Sequence, residues 1–343
     1  MTDDTMLFNN KQIEKINSTI KHFPNNTQFS VAKVKGGEVN YYGVLKESDS
    51  LKVIDNKGSV FEIASVSKVI TAAMLAQLVV NGKLSLTDKI TDYLDINIKN
   101  DTGINFTQLA NHTSGIPRLP PGMFWSSIFE GMKNPYKNYD EDSLLNYLKN
   151  QHKNKKTGSC SYSNLGVGLL GYLIGRICET DYETALQSLI CQPLGLESTT
   201  TNRDKIKSQL IEGRDKKGKV TPYWDLNILA GAGGIYSNVV DLSKFILANF
   251  DNNNHALQLQ HQPTHELHKT VKMGLGWHIF NSKGTGYKDW LWHNGATGGF
   301  CSEVLIDLEK HKGIVLLTNV SGKFIFKANK LQKLAFELMD DEE

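Results

Sequence analysis

The run from Ser65 to Val80 constrains this chain more than any other segment. It reads Ser-Val-Ser-Lys-Val-Ile-Thr-Ala-Ala-Met-Leu-Ala-Gln-Leu-Val-Val and stops at Asn81-Gly82. The pattern predicts a helix that is apolar nearly all round and therefore buried. Its most apolar part, Val69 to Val80, is too short to span a bilayer. The 343 residues suffice for one large domain, or two intimately packed ones, with a sizeable core. A lysine inside such a helix is costly unless it has a partner or a chemical task. Lys68 falls one turn after Ser65, on the same side of the helix.

The chain on either side predicts a sheet drawn from both ends. An amphipathic helix over Asn10 to His22 carries Ile13, Ile16 and Ile20 on one face. Strands over Phe29–Val34 and Val39–Leu45 meet at Gly36-Gly37, a hairpin signal. Helices follow at Ser143–Gln151, Leu165–Thr180 and Tyr182–Ile190. Strands return at Gly276–Asn281, Trp290–His293, Cys301–Asp307 and Gly313–Asn319, before a final helix over Phe324–Met339. The expected fold class is α+β: an antiparallel sheet built from both chain ends, flanked by helices, with an inserted helical region. Residues 1–343 are expected to form one catalytic unit, with the sheet region in 10–83 plus 270–340 and the mainly helical insert in 84–269. The acidic end, Asp340 to Glu343, reads as a solvated tail.

Candidate chemistry must be separated from decoys. Ser-x-x-Lys occurs at Ser18, Ser30 and Ser65. Ser18 ends a surface helix, and Ser30 and Lys33 fall on opposite faces of a strand. Only Ser65 opens a buried helix, where its backbone N–H meets positive dipole potential. The plainer alternative is an N-cap serine and a snorkelling lysine. Tyr-x-Asn occurs at Tyr136, Tyr162 and Tyr236. Tyr236 follows a glycine run and reads as a turn entering a helix. Tyr162 precedes an apolar helix rich in small residues and could face Lys68, whose charge would favour the phenolate and make it a base. Lys156-Thr157-Gly158 reads as a loop, and His311-Lys312-Gly313 as a hairpin turn. His293-Asn294-Gly295 lies in the strand-rich end, where Gly295 permits close backbone approach and the Ala296 N–H could complete an oxyanion hole.

The ordered set Ser65-x-x-Lys68, Tyr162-x-Asn164 and His293-x-Gly295 resembles the class C β-lactamase and penicillin-binding-protein family of serine hydrolases. Phe61-Glu62-Ile63-Ala64, Asn111 to Pro117, Gly231 to Ser237 and Gly274-Leu275-Gly276-Trp277 support it, over roughly Phe29 to Val320. The resemblance implies a β-lactamase/transpeptidase-like fold and an acyl-enzyme on Ser65. Lys68 and Tyr162 would share the proton work. Asn164 would hold Lys68 and a substrate amide, beside His293 and Gly295. The N–H groups of Ser65 and Ala296 would bind the oxyanion. No metal or organic cofactor is implied, and the substrate would be a small molecule or short peptide. Class C β-lactamases usually carry lysine where this chain has His293. Histidine is only partly charged near neutrality and binds a carboxylate less strongly, which lowers the expectation of efficient β-lactam turnover.

Three further readings bear on function. A net charge of +2 argues against a dedicated nucleic-acid binder. His255, His261, His265 and His268 cluster in a polar stretch, Asn252–Thr270, where His265 and His268 could share a helix face and bind a metal. No HExxH signature accompanies them, so surface histidines are the preferred reading. A catalytically inactive, penicillin-recognising binding module is the remaining alternative. The acidic start Met1-Thr2-Asp3-Asp4 carries no secretory pattern. Cys160, Cys178, Cys191 and Cys301 lack paired spacing, which fits reduced thiols in the cytoplasm. Cys160 is expected to be structural. Trp125 and Trp224 could line a pocket or sit in the core.

Overall fold

The computed structural model describes residues 8–48, 50–123, 134–153, 158–280, 289–321 and 330–340. Helix α1 (Asn10–Ile20) begins with a capping box between Asn9 and Gln12 and buries Ile16 and Ile20. Strands β1 (Gln28–Lys35) and β2 (Glu38–Glu47) form the expected hairpin. Gly36 and Gly37 turn it with φ of +58° and +90°, a conformation open to glycine. Strand β3 (Ser50–Val53) follows. After the helical stretch come β4 (His265–His268), β5 (Val271–Met273) and β6 (His278–Phe280). Then come β7 (Trp290–Ala296), β8 (Cys301–Asp307) and β9 (Lys312–Thr318). The β8–β9 turn places His311 at φ +49°.

These nine strands form one sheet among the described residues, in the order β3-β2-β1-β9-β8-β7-β6-β5-β4. Every pairing is antiparallel. The first strand of the chain therefore pairs with the last, with Phe29 opposite Thr318. The period of two sorts the side chains cleanly. Phe29, Val31, Leu305, Ile314 and Leu316 face one way, against Ile16 and Ile20 of α1 and Leu331, Leu334 and Leu338 of the C-terminal helix (Lys330–Asp340). Ala32, Val34, Val304, Ile306, Val315 and Leu317 face the other way, into the larger helical core. The fold class is α+β, with a large antiparallel sheet flanked by helices on both faces.

The larger core is organised around α2 (Ser67–Val80), whose side chains are buried from Ser67 through Ala76. Helix α3 (Asn164–Ile177) packs beside it and starts at the N-cap Ser163. Its glycines admit a close neighbour. A Cβ on Gly168 would lie 2.4 Å from Leu229, and one on Gly171 would lie 3.0 Å from the Gly231 Cα. The short 3-10 segment Asn227–Ala232 thus lies against the helix backbone. Tyr236-Ser237 forms a two-residue strand with Phe61-Glu62, and Asn238 caps the helix Val239–Asn249, as expected of a turn and helix entry.

The stretch around Asn252–Thr270 departs from its reading as a polar insertion. It contains the helix His255–Gln260 and the edge strand β4, so the sheet resumes at His265. His265 and His268 do not share a helix face. His261 is buried rather than superficial, with Nε2 2.7 Å from the Asn249 side-chain oxygen. Among the described residues no group of three or more His, Cys, Asp or Glu side chains is arranged to hold a metal. No described helix is long and apolar enough to cross a membrane.

Candidate active site

Ser65 lies in a 3-10 turn, Ala64–Val66, that leads directly into α2. Ala64, immediately before it, has φ +48°, a left-handed conformation that costs a non-glycine residue about 1 kcal/mol or more. The turn is tied to both neighbours. Ile63 N–H donates to Ile235 O at 3.1 Å, and the Ser302 hydroxyl donates to Ile63 O at 2.7 Å. One helical turn on, Lys68 is fully buried, with Nζ 3.0 Å from Ser65 Oγ and 2.5 Å from Ala232 O. Thr71 fixes the same segment by donating to Gly231 O at 2.7 Å. Burial, reinforced by the Arg118 charge, holds the Lys68 pKa well below the usual lysine value. The amine is therefore pushed toward its neutral form, with a lone pair for the Ser65 hydroxyl.

Tyr162 is clamped from both sides by the loop Asn111–Arg118. Ser161 N–H donates to His112 O at 2.8 Å, and Asn164 N–H to Arg118 O at 3.0 Å. Ser163 N–H donates to His112 Nδ1 at 3.2 Å, and Ser163 Oγ to Pro117 O at 2.7 Å. The Lys68 Nζ and the Arg118 guanidinium lie 4.9 Å and 5.0 Å from the Tyr162 ring centre. Part of the ring reaches solvent, but the hydroxyl end is deep. Burial raises its pKa above the tyrosine norm, against smaller lowering by the Ser65 side chain and Arg118. The expected phenolate is thus overturned. Desolvation outweighs the Arg118 charge, and burial moves the Lys68 amine toward its neutral form as well. A neutral lysine with a neutral tyrosine has the same net charge as ammonium with phenolate, so only the proton's location differs.

Asn164 opens α3, and its Nδ2 donates to the Tyr136 hydroxyl at 2.9 Å rather than holding Lys68. Its Oδ1 has no partner among the described residues. Lys68 takes the Ala232 carbonyl in its place. Tyr136, which carries the same Tyr-x-Asn pattern and looks like a decoy, is therefore part of the site wall, 5.7 Å from the Trp224 ring. The Trp224 backbone N–H donates to Glu62 Oε1 at 2.6 Å, and a Cβ on Gly298 would meet the Trp224 Nε1 at 2.8 Å. Burial pushes the Glu62 carboxyl up to about 7. Trp125, Lys156 and Thr157 lie outside the described residues. Cys160 is half-buried, its Sγ 3.6 Å from Asn111 O, and burial raises its thiol pKa.

The third wall is β7. Thr297 N–H donates to Phe300 O at 3.0 Å, so the antiparallel alternation turns Gly295 toward β8 and Ala296 toward the opposite edge. There β6 ends with His278 opposite Trp292, which leaves the Asn294–Ala296 backbone edge open to the cleft. Gly295 touches the serine turn. A Cβ there would lie 2.5 Å from Ile63 O and 2.7 Å from Ser65 N. The Ser65 N–H thus lies beside Gly295, one residue before Ala296. His293 is 1% exposed, its ring 6.3 Å from Tyr162 and 5.4 Å from His278. The structure brings Ser65, Lys68, Tyr162, Asn164, His293, Gly295 and Ala296 close together, around the junction of the serine turn, the Tyr162 loop and β7.

A sequence model of the Beta-lactamase family matches residues 16–336. The chain is 26% identical over 329 residues to a beta-lactamase of Pseudomonas fluorescens, covering 84% of this chain and 87% of that protein. It is 24% identical over 299 residues to the D-alanyl-D-alanine-carboxypeptidase/endopeptidase AmpH of Escherichia coli (strain K12), covering 78% of this chain and 73% of that one. A class C beta lactamase from Rhodobacter sphaeroides superposes with a TM-score of 0.77 at 19% identity, over 96% of this chain and 100% of that one. A beta-lactamase/D-alanine carboxypeptidase from Pseudomonas syringae gives 0.76 at 21%, over 97% and 98%. At these identities the structural likeness is one of fold.

Proposed function

The chain belongs to the beta-lactamase family and is a serine hydrolase of the beta-lactamase and penicillin-binding type, and on that premise we propose that it cleaves a small amide or ester through an acyl-enzyme on Ser65. The neutral Lys68 amine removes the Ser65 hydroxyl proton as Oγ bonds to the carbonyl carbon. The carbonyl electron pair moves onto oxygen, against the N–H groups of Ser65 and Ala296. When the carbonyl reforms, the bond to the leaving nitrogen or oxygen breaks, and Tyr162 passes that atom its proton while taking one from Lys68. Water then attacks the ester by the reverse route, restoring the hydroxyl and the amine. Asn164, His293 and Gly295 line the substrate. The observation that carries this reading is the buried Lys68 Nζ, 3.0 Å from Ser65 Oγ and beside the Tyr162 ring.

Among substrates, D-amino-acid peptides rank first, simple esters or acyl transfer second and β-lactams third. The carboxypeptidase named among the relatives supports the first, and the histidine in place of lysine lowers the last. The test is intact-protein mass after incubation with a penicillin, a fluorophosphonate and a short acyl ester, in wild type and Ser65→Ala. An adduct on wild type alone assigns the nucleophile. A lasting penicillin adduct indicates a penicillin-binding protein, and penicillin hydrolysis without an adduct a β-lactamase. Labelling by fluorophosphonate or ester alone indicates a peptidase or esterase. Folded protein that takes no label refutes the catalytic reading and leaves a binding module.

A further inference from the structure

The β6 pairing with β7 stops at Trp292, so His293 stands where the unpaired edge of β7 begins. Its Nδ1 lies 2.7 Å from the Asn294 carbonyl oxygen. A carbonyl only accepts, so Nδ1 carries the proton. The groups around the ring come from three other elements: Lys68 from α2, His112 and Tyr162 from the loops before α3, and His278 from β6. Burial, with His278 adding to it, drives the His293 pKa well below the usual histidine value. A neutral imidazole has one N–H, and here it is committed to the backbone. Nε2 is therefore a bare lone pair, buried and without a partner among the described residues.

A buried acceptor with no donor is costly, and in a cleft it calls for a donor from the ligand. Among the described residues the two cations near the β7 edge face other groups, Arg118 lying against the Tyr162 ring at 5.0 Å from its centre. Lys68 is directed at Ser65 Oγ and Ala232 O. A carboxylate set against Nε2 would place lone pairs against a lone pair and lose its hydration without compensation. An amide N–H, a carboxamide or a hydroxyl would donate to it directly.

Building on the assignment of Ser65 as nucleophile, we propose that His293 Nε2 accepts a hydrogen bond from the substrate. The β7 edge then selects amides and esters that carry a hydrogen-bond donor beside the scissile bond, and disfavours a free carboxylate there. A lysine at this position would donate and carry charge. Histidine in this tautomer reverses the recognition.

The test uses two N-acetyl-D-alanyl thioesters that differ only in the leaving thiol, mercaptoacetamide or mercaptoacetate, with kcat/KM read from thiol release. At pH 7.5 wild type should favour the carboxamide by on the order of tenfold, and His293→Lys should invert the preference. Equal rates, or a wild-type preference for the carboxylate, overturn the proposal. A second measurement reads the tautomer directly. Long-range proton–nitrogen correlation of the wild-type histidines, with His293→Gln identifying the signal, should show Nε2 unprotonated. A proton on Nε2 overturns the proposal. Fluorophosphonate labelling of Ser65, lost in Ser65→Ala, separates the two levels. A labelled enzyme with the wrong preference sinks this inference alone. An unlabelled one sinks the nucleophile assignment, and the tautomer remains decided by the spectrum.

Discussion

Replacing Gly295 by alanine tests the oxyanion geometry with a single methyl group. The added carbon would lie 2.5 Å from Ile63 O, 2.6 Å from Ser302 Oγ and 2.7 Å from Ser65 N. Two of those atoms are backbone, and the third already donates to Ile63 O at 2.7 Å. Ordinary contact needs about 3.5 Å, so β7 and the serine turn must part by roughly 1 Å. Overpacking of this kind costs about 1–3 kcal/mol of stability, within the ~5–15 kcal/mol typical of a domain, so the variant should fold. The same parting moves the Ala296 N–H away from the Ser65 N–H. Loss of one oxyanion donor typically costs about 100- to 1,000-fold in rate. The assay is the rate of Ser65 phosphonylation by time-resolved intact mass, with thermal unfolding measured in parallel. Gly298→Ala is the control. Its Cβ would meet the half-buried Trp224 side chain rather than the backbone of the serine turn, so its rate should fall far less. A folded Gly295→Ala protein labelling within about threefold of wild type would refute the two-donor pocket.

Three more outcomes follow from the buried ionisable groups. Lys68→Met should lower acylation by about 100- to 10,000-fold while leaving the melting temperature unchanged or higher, since a desolvated amine gives way to an apolar side chain; a large loss of stability would contradict this. Acylation should rise with pH through the depressed Lys68 pKa, because the base acts only when neutral. Arg118→Gln removes a cation that helps depress it, so the acidic limb of the pH–rate profile should move to higher pH. Glu303, buried under Trp292, has its carboxyl pushed up to about 8, and Trp292 Nε1 donates to it at 2.8 Å. A raised carboxyl pKa means that stability is lost as pH climbs from the unfolded value toward the folded one. Glu303→Gln should therefore match wild type near pH 5 and exceed it by a few kcal/mol above pH 8, measured by denaturant unfolding.

The Ser65–Lys68 pair was legible because one charged residue in an apolar helix is a conflict that only a partner or a task resolves. The two-ended sheet was legible from alternation on either side of a helical stretch. Strand β4 was not, since His265–His268 is an exposed edge segment without apolar alternation. Tyr136 was hidden for a different reason. Its local pattern equals that of Tyr162, and only the fold decides which tyrosine faces the lysine and which braces the asparagine. The Ala232 carbonyl that holds Lys68 is a backbone group, so no side chain announces it. The direction of the Tyr162 shift was misread because a nearby cation is visible in a sequence, whereas the depth of burial that outweighs it is not.

The pairing of β1 with β9 also bears on biosynthesis. Gln28 N–H donates to the side chain of Asn319 across 291 positions of sequence. During translation at roughly 5–20 residues per second, β1 waits on the order of 15–60 s for its partner to leave the ribosome. Until then the β1–β2 hairpin exposes the apolar row of Phe29 and Val31 and an unpaired edge, a state prone to aggregation. Slow-growing chains of this architecture should therefore depend on holdase chaperones late in synthesis. Premature termination before residue 312 should yield insoluble fragments rather than a smaller folded protein.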